Sequence, residues 1–129
     1  MDLKRVAKDA AKTLSSYMTY QALRVVLEQL SETDPPQSLW LHGFCSHISV
    51  QDGEAFIRAL LQEKQELAFR IMTVRQHLAE EVAEYLPEMV CAAIQQSNME
   101  HRRQHLERIT QLTVSEPPSS SEQPTDSEG

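Results

Sequence analysis

Between Leu3 and Leu30 the chain has no Gly or Pro, and its apolar residues recur at helical spacing. Leu14, Met18, Ala22 and Val25 fall on one stripe, at about 100° per residue, and that stripe is the expected buried face of a first helix. Tyr17 and Tyr20 fall roughly opposite, beside Thr13, Arg24 and Leu27. A helix with two apolar faces needs two neighbours. Each tyrosine offers about 150 Å² or more of rigid, amphipathic surface, which suits a binding site. On the residues alone, coverage by a second helix of the same fold is the favoured reading, because aromatics at helical spacing are usually core.

The pattern predicts three further helices. Glu32-Thr33-Asp34-Pro35-Pro36 ends the first, since proline cannot continue the hydrogen-bond ladder. Pro36 is placed to open a short second helix through Leu39, Trp40, Leu41 and Phe44. Gly43 to Val50 shows no period and reads as a loop, after which Asp52-Gly53-Glu54 opens a third helix over Ala55 to Leu61. From about Lys64 to Val114 the sole breaker is Pro87. Leu67, Ile71, Val74, Leu78, Val82, Leu86, Met89, Ala93, Met99, Leu106 and Ile109 keep helical spacing on both sides of it. Pro87 is expected to bend this helix, not to end it. Some fifty residues at 1.5 Å each make a helix of about 75 Å, too long for the other three to cover. Self-association is the common solution.

Composition narrows the class further. The 129 residues suffice for one modest core, and only Gly43 and Gly53 lie inside the chain, too few turn signals for a sheet. The predicted fold is therefore all-α. With 5% aromatic residues, the core should consist mainly of Leu, Val, Ile, Ala and Met. Net charge is −7, of which Glu116, Glu122, Asp126 and Glu128 supply four, so an acidic body argues against nucleic acid or an anionic membrane as partner. No stretch approaches the ~20 apolar residues of a membrane span, and Met1-Asp2-Leu3-Lys4 does not begin a signal peptide. Cys45 and Cys91 are isolated thiols, read as reduced and buried. From Ser115 to Gly129 the Pro-, Ser- and Glu-rich composition reads as a disordered tail on a domain of residues 1–114.

No catalytic constellation stands out: there is no phosphate-cradling glycine loop, Gly-x-Ser-x-Gly or His-Glu-x-x-His. His101 and His105, four apart, could pinch a metal but lack a third ligand nearby and read as solvated helix residues. Glu80, Glu81, Glu84 and Glu88 read as a solvated charged face. The basic run through Arg102, Arg103 and Arg108 is interrupted by Glu107 and preceded by Glu100, which favours salt pairing or a polar protein contact over phosphate binding. The residues thus describe a helical, self-associating binding module with no named ligand. A metal-dependent enzyme using His101 and His105, a helical nucleic-acid binder and a generic helical adaptor stand as rivals.

Longer strings carry a family resemblance. Ala7-Lys8-Asp9-Ala10-Ala11-Lys12-Thr13-Leu14 running into Tyr17-Met18-Thr19-Tyr20-Gln21-Ala22-Leu23 resembles the opening of RbcX, the Rubisco assembly chaperone family. Val50-Gln51-Asp52-Gly53-Glu54-Ala55, Arg70-Ile71-Met72-Thr73-Val74-Arg75, Leu86-Pro87-Glu88-Met89-Val90 and the run from Met99 to Arg108 match it too, in register over residues 1–114. The resemblance implies a helical homodimer, paired antiparallel along its long fourth helices into an arc. It implies a central groove for the C-terminal peptide of the Rubisco large subunit, and polar ends that contact a neighbouring large subunit. Neither cofactor, metal nor nucleotide is implied, no catalytic residue, and no membrane or nucleic-acid partner. Carried over by motif, the groove residues are Thr13, Tyr17, Tyr20, Val50 and Gln51, and the peripheral polar set is Gln29, Glu32, Arg70, Arg102 and Glu107. Val50 stands where many members have Ile, a difference of one methylene or about 1 kcal/mol. The implied location is the cytoplasm of a photosynthetic bacterium, with the carboxysome as a further candidate. On this resemblance Tyr17 and Tyr20 become a site.

Overall fold

The computed structural model describes residues 1–49 and 51–115, the last two by backbone alone. Four helices follow one another: α1 (Leu3–Thr33), α2 (Pro35–His47), α3 (Gly53–Glu63) and α4 (Gln65–Ser115). Among the described residues there is no strand, so the all-α expectation holds. Ser115 closes α4, and the rest of the expected tail lies outside the described residues.

Short-range chemistry sets the boundaries. The Asp2 carboxylate accepts from the Lys4 and Arg5 amides at 3.1 and 3.3 Å, satisfying two of the orphan donors that open α1. Asp34 serves two helices at once. Its amide donates to the Leu30 carbonyl at 2.7 Å, ending α1, while its carboxylate accepts from Gln37 N–H at 3.4 Å and caps α2. Pro35 then takes the first position of α2, where its missing N–H costs nothing. Asp52 caps α3 by accepting from Ala55 N–H at 3.2 Å. α4 runs unbroken through Pro87, which leaves the Ala83 carbonyl without its usual donor.

Three expectations are corrected. Gly43 to His47 is helical and belongs to α2, and Gly53 is the first residue of α3, so neither internal glycine breaks a helix. Leu41, Phe44, Cys45 and Ile48 repeat at the helical interval and pack toward the core, which outweighs the roughly 1 kcal/mol propensity cost of Gly43. The buried stripe of α1 is rotated from the expected one: Met18, Thr19, Ala22, Leu23, Val26 and Leu30 are buried, while Leu14 and Val25 lie half-buried on its edge. Cys91 is exposed and Cys45 half-buried, because no described side chain from Tyr85 onward is buried.

The chain divides into two units, Met1–Glu84 and from Tyr85 onward. The first holds the core, where Leu23, Val26 and Leu30 of α1 meet Leu41 of α2, Phe56, Ile57 and Leu60 of α3, and Leu67, Ala68 and Ile71 of α4. Phe56 is the largest fully buried side chain. Phe44 meets it edge-on at 5.7 Å, Trp40 stacks on Phe44 at 5.2 Å, and Lys64 Nζ sits 5.2 Å over the Trp40 ring. Apart from Phe56, the buried core residues are Leu, Val, Ile, Ala and Met, as composition suggested, and Trp40 and Phe44 pack against them half-buried. Within the second unit, Tyr85, Met89, Val90, Ile94, Met99, Leu106, Ile109 and Leu112 are all exposed large apolar side chains. No helix among the described residues is long and apolar enough to cross a membrane.

Candidate functional site

Because the core takes the α1 face centred between Ala22 and Leu30, the opposite face is left outside. Tyr17 and Tyr20 are 55% and 45% exposed, on a helix whose facing residues are fully buried. Tyr20, with Leu23, Arg24 and Leu27 of α1 and His42 and Cys45 of α2, lines an open hollow of about 390 Å³. Its walls are apolar and its rim carries Arg24 and His42, a combination suited to an apolar side chain flanked by a polar or anionic group. Burial pushes the Cys45 thiol above its ordinary pKa, so it sits there as a neutral small hydrophobe.

Thr13, one turn before Tyr17, is exposed, its hydroxyl donating to the Asp9 carbonyl at 3.2 Å. Gln51 is exposed in the connection between α2 and α3, its amide donating to Ser49 Oγ at 3.3 Å. Two residues on, Gly53 N–H donates to Ser16 Oγ at 3.3 Å, which brings this connection against α1 beside Tyr17. Val50 lies outside the described residues.

The polar set divides between the two units. In the first, Arg70 Nη2 donates to Gln29 Oε1 at 2.8 Å, joining α4 to α1, and Glu32 is exposed one turn further along α1. In the second, Arg103 is locked between Glu100 and Glu107, three residues before it and four after it. Glu107 therefore already accepts from Arg103, at 2.6 Å, whereas Arg102 is exposed and forms no ion pair among the described residues. The Arg103 hydrogen bond and charge hold the Glu100 carboxyl below the usual carboxylate range, and Glu100 in turn pushes Arg103 up. No group of three or more His, Cys, Asp or Glu placed to hold a metal occurs among the described residues.

The profile of the family described as RbcX protein matches residues 1–111. The chain belongs to the RbcX family. The RuBisCO chaperone RbcX of Anabaena sp. (strain CA / ATCC 33047) is 64% identical over 123 residues, covering 95% of this chain and 90% of that protein. The crystal structure of RbcX in complex with substrate shares the fold with a TM-score of 0.79 and 51% identity, over 85% of this chain and 99% of that one. The RbcX point mutant Y17A/Y20L superposes with a TM-score of 0.78 at 50% identity, over 81% of this chain and 98% of that one. An RbcX altered at two tyrosines thus keeps the fold.

Residues that the sequence did not assign to the site are His42 and Cys45 beside Tyr20, and Arg75. The first two became visible once α2 extended to His47; the signal was the apolar spacing Leu41, Phe44, Cys45, Ile48.

The Arg103 pairing makes a pH prediction. A carboxylate whose folded pKa is lowered contributes stability above its unfolded value and loses it as pH falls through the folded one. In an NMR titration the Glu100 carboxyl should therefore titrate below the ordinary glutamate range and return to it in Arg103→Gln. An ordinary value in the parent protein contradicts the pairing.

Proposed function

We propose that this RbcX protein is an assembly chaperone of Rubisco. On this reading a homodimer holds the C-terminal peptide of the large subunit in a central groove lined by Thr13, Tyr17, Tyr20, Val50 and Gln51. Gln29, Glu32, Arg70, Arg102 and Glu107 contact a neighbouring large subunit, and the core of large subunits assembles without nucleotide. The observation that carries the proposal is the exposure of Tyr17 and Tyr20 opposite a complete core, in a chain of this family. The core cluster of the first unit does not include the tyrosines, so their aromatic area is available to a partner. We read the protein as a chaperone and not an enzyme, working in the cytoplasm and, where present, at the carboxysome, with residues 1–114 as the working domain and 115–129 accessory to it.

Separation of labour follows from the chemistry. An extended peptide loses conformational entropy on binding, so apolar anchors in a groove give a modest, reversible grip. Charge-assisted contacts through Arg70 and Arg102 add orientation toward a folded surface. Arg70 is steadied for this by Gln29, and Arg102 forms no ion pair among the described residues, beside an Arg103 held by Glu100 and Glu107.

The dimer is supported by the run of exposed apolar side chains from Tyr85 to Leu112, which a second copy would cover. Sedimentation at micromolar concentration should give a dimer; a stable folded monomer contradicts this part.

For the groove, Tyr20→Ala should weaken peptide binding by about 2 kcal/mol, the scale of an interface hot spot, and leave the urea midpoint nearly unchanged. Phe56→Ala, by contrast, should cost about 3–5 kcal/mol of stability. A Tyr20→Ala protein that is strongly destabilised, yet binds peptide normally when folded, overturns the groove.

A further inference from the structure

Arg75 joins three helices at one point. Its Nη1 donates to Thr19 Oγ1 of α1 at 2.9 Å and to Glu54 Oε2 of α3 at 2.8 Å, and its Nη2 reaches Glu54 Oε1 at 3.4 Å. Thr19 is fully buried, and its single donor is already spent on the Ser15 carbonyl at 2.8 Å. Its oxygen can therefore only accept there, and Arg75 supplies the donor.

The same place has no spare volume. A Cβ built on Gly53 would stand 2.9 Å from Thr19 Oγ1, 3.1 Å from Thr19 Cβ and 3.2 Å from the Ser16 Cα. Gly53 is thus required by close approach: the first turn of α3 lies directly on the α1 backbone, and Gly53 N–H donates to Ser16 Oγ. Ser16 and Thr19 alternate along α1 with Tyr17 and Tyr20, and Gln51 lies two residues before Gly53. The two elements of the groove, the tyrosine face and the Gln51 connection, meet through these contacts.

We propose that Arg75 is a positioning residue for peptide binding. Through Glu54 and Thr19 it clamps the Asp52-Gly53-Glu54 turn onto α1 and so fixes Gln51 relative to Tyr17 and Tyr20. The proposal rests on the groove reading above. Arg75 touches no peptide itself; its side chain is 23% exposed and held by Thr19 and Glu54, whereas Glu54 is 56% exposed and can turn to water when released. Losing the guanidinium therefore frees the turn more than it damages the core, whose apolar cluster does not include Arg75. A site loosened by its supporting residues loses affinity even when every contacting side chain is intact.

The test uses the full chain and a synthetic peptide spanning the C-terminal segment of the large subunit. Arg75→Met keeps the length and apolar stem of the side chain. Its peptide affinity should fall about ten-fold, as when a supporting shell is removed, at a urea midpoint close to the parent's. Amide hydrogen exchange over residues 51–54 should accelerate. Arg75→Lys, which keeps a charge for Glu54 but not the fork, should fall between the two. Gly53→Ala pushes the same turn from the other side without altering charge, and should also weaken binding. A folded Arg75→Met that binds within about two-fold of the parent overturns the clamp, as does unchanged exchange over residues 51–54. If Arg75→Met fails to fold, Arg75→Lys and Gly53→Ala are judged by the same two criteria. Tyr20→Ala separates the layers: parent-like binding there overturns the groove reading itself, while its loss beside a parent-like Arg75→Met overturns the clamp alone.

Discussion

The burial of one face of α1 in the core it shares with α2, α3 and the start of α4 fixes where every other side chain on that helix points. Ala22, Val26 and Leu30 are buried in the cluster that also holds Leu41, Phe56, Leu60 and Ile71, and a helix that turns about 100° per residue then has no freedom left. Tyr17 and Tyr20 are outside because Thr19, Ala22 and Leu23 are inside. The groove proposed on that face would be backed by the core, which would limit the ordering cost of gripping a flexible peptide.

The polar contacts of the first unit serve the same end. Asp34 ends α1 and starts α2 within one residue, which keeps α2 close to α1 and forms the hollow beside Tyr20. Gly53, Ser16, Thr19 and Arg75 bring the start of α3 onto α1 at the level of the tyrosines. Gln29 and Arg70 make a second tie between α1 and α4, at a position where an exposed guanidinium is held in one orientation. In the second unit the order comes from α4 itself, with Arg103 braced by Glu100 and Glu107 and its apolar residues open.

Much of this was legible in the chain. Helical periodicity located all four helices, and the capping chemistry of Asp34-Pro35-Pro36 and Asp52-Gly53 set the boundaries. Gly43 misled because a lone glycine weakens a helix only modestly, and the packing of Phe44, Cys45 and Ile48 outweighed it. The stripe on α1 was displaced because a polar residue, Thr19, lies at its centre; a threonine whose hydroxyl bonds to its own helix and to Arg75 does not register as apolar in a pattern. The tyrosines were ambiguous for a sound reason. Exposure depends on how many neighbours a helix has, which a periodic pattern does not encode, and the family resemblance supplied it. Arg75 stood in a family string without a role, because its contacts lie 21 and 56 residues away along the chain.

Capture of the large subunit, with and without its C-terminal segment, tests the central claim most directly, because it asks whether the exposed face of α1 recognises that segment and not merely any unfolded surface. Immobilised parent protein should retain the intact large subunit and release it to excess C-terminal peptide, and should retain little of the large subunit lacking that segment. Equal retention of the two forms, insensitive to the peptide, would contradict the account.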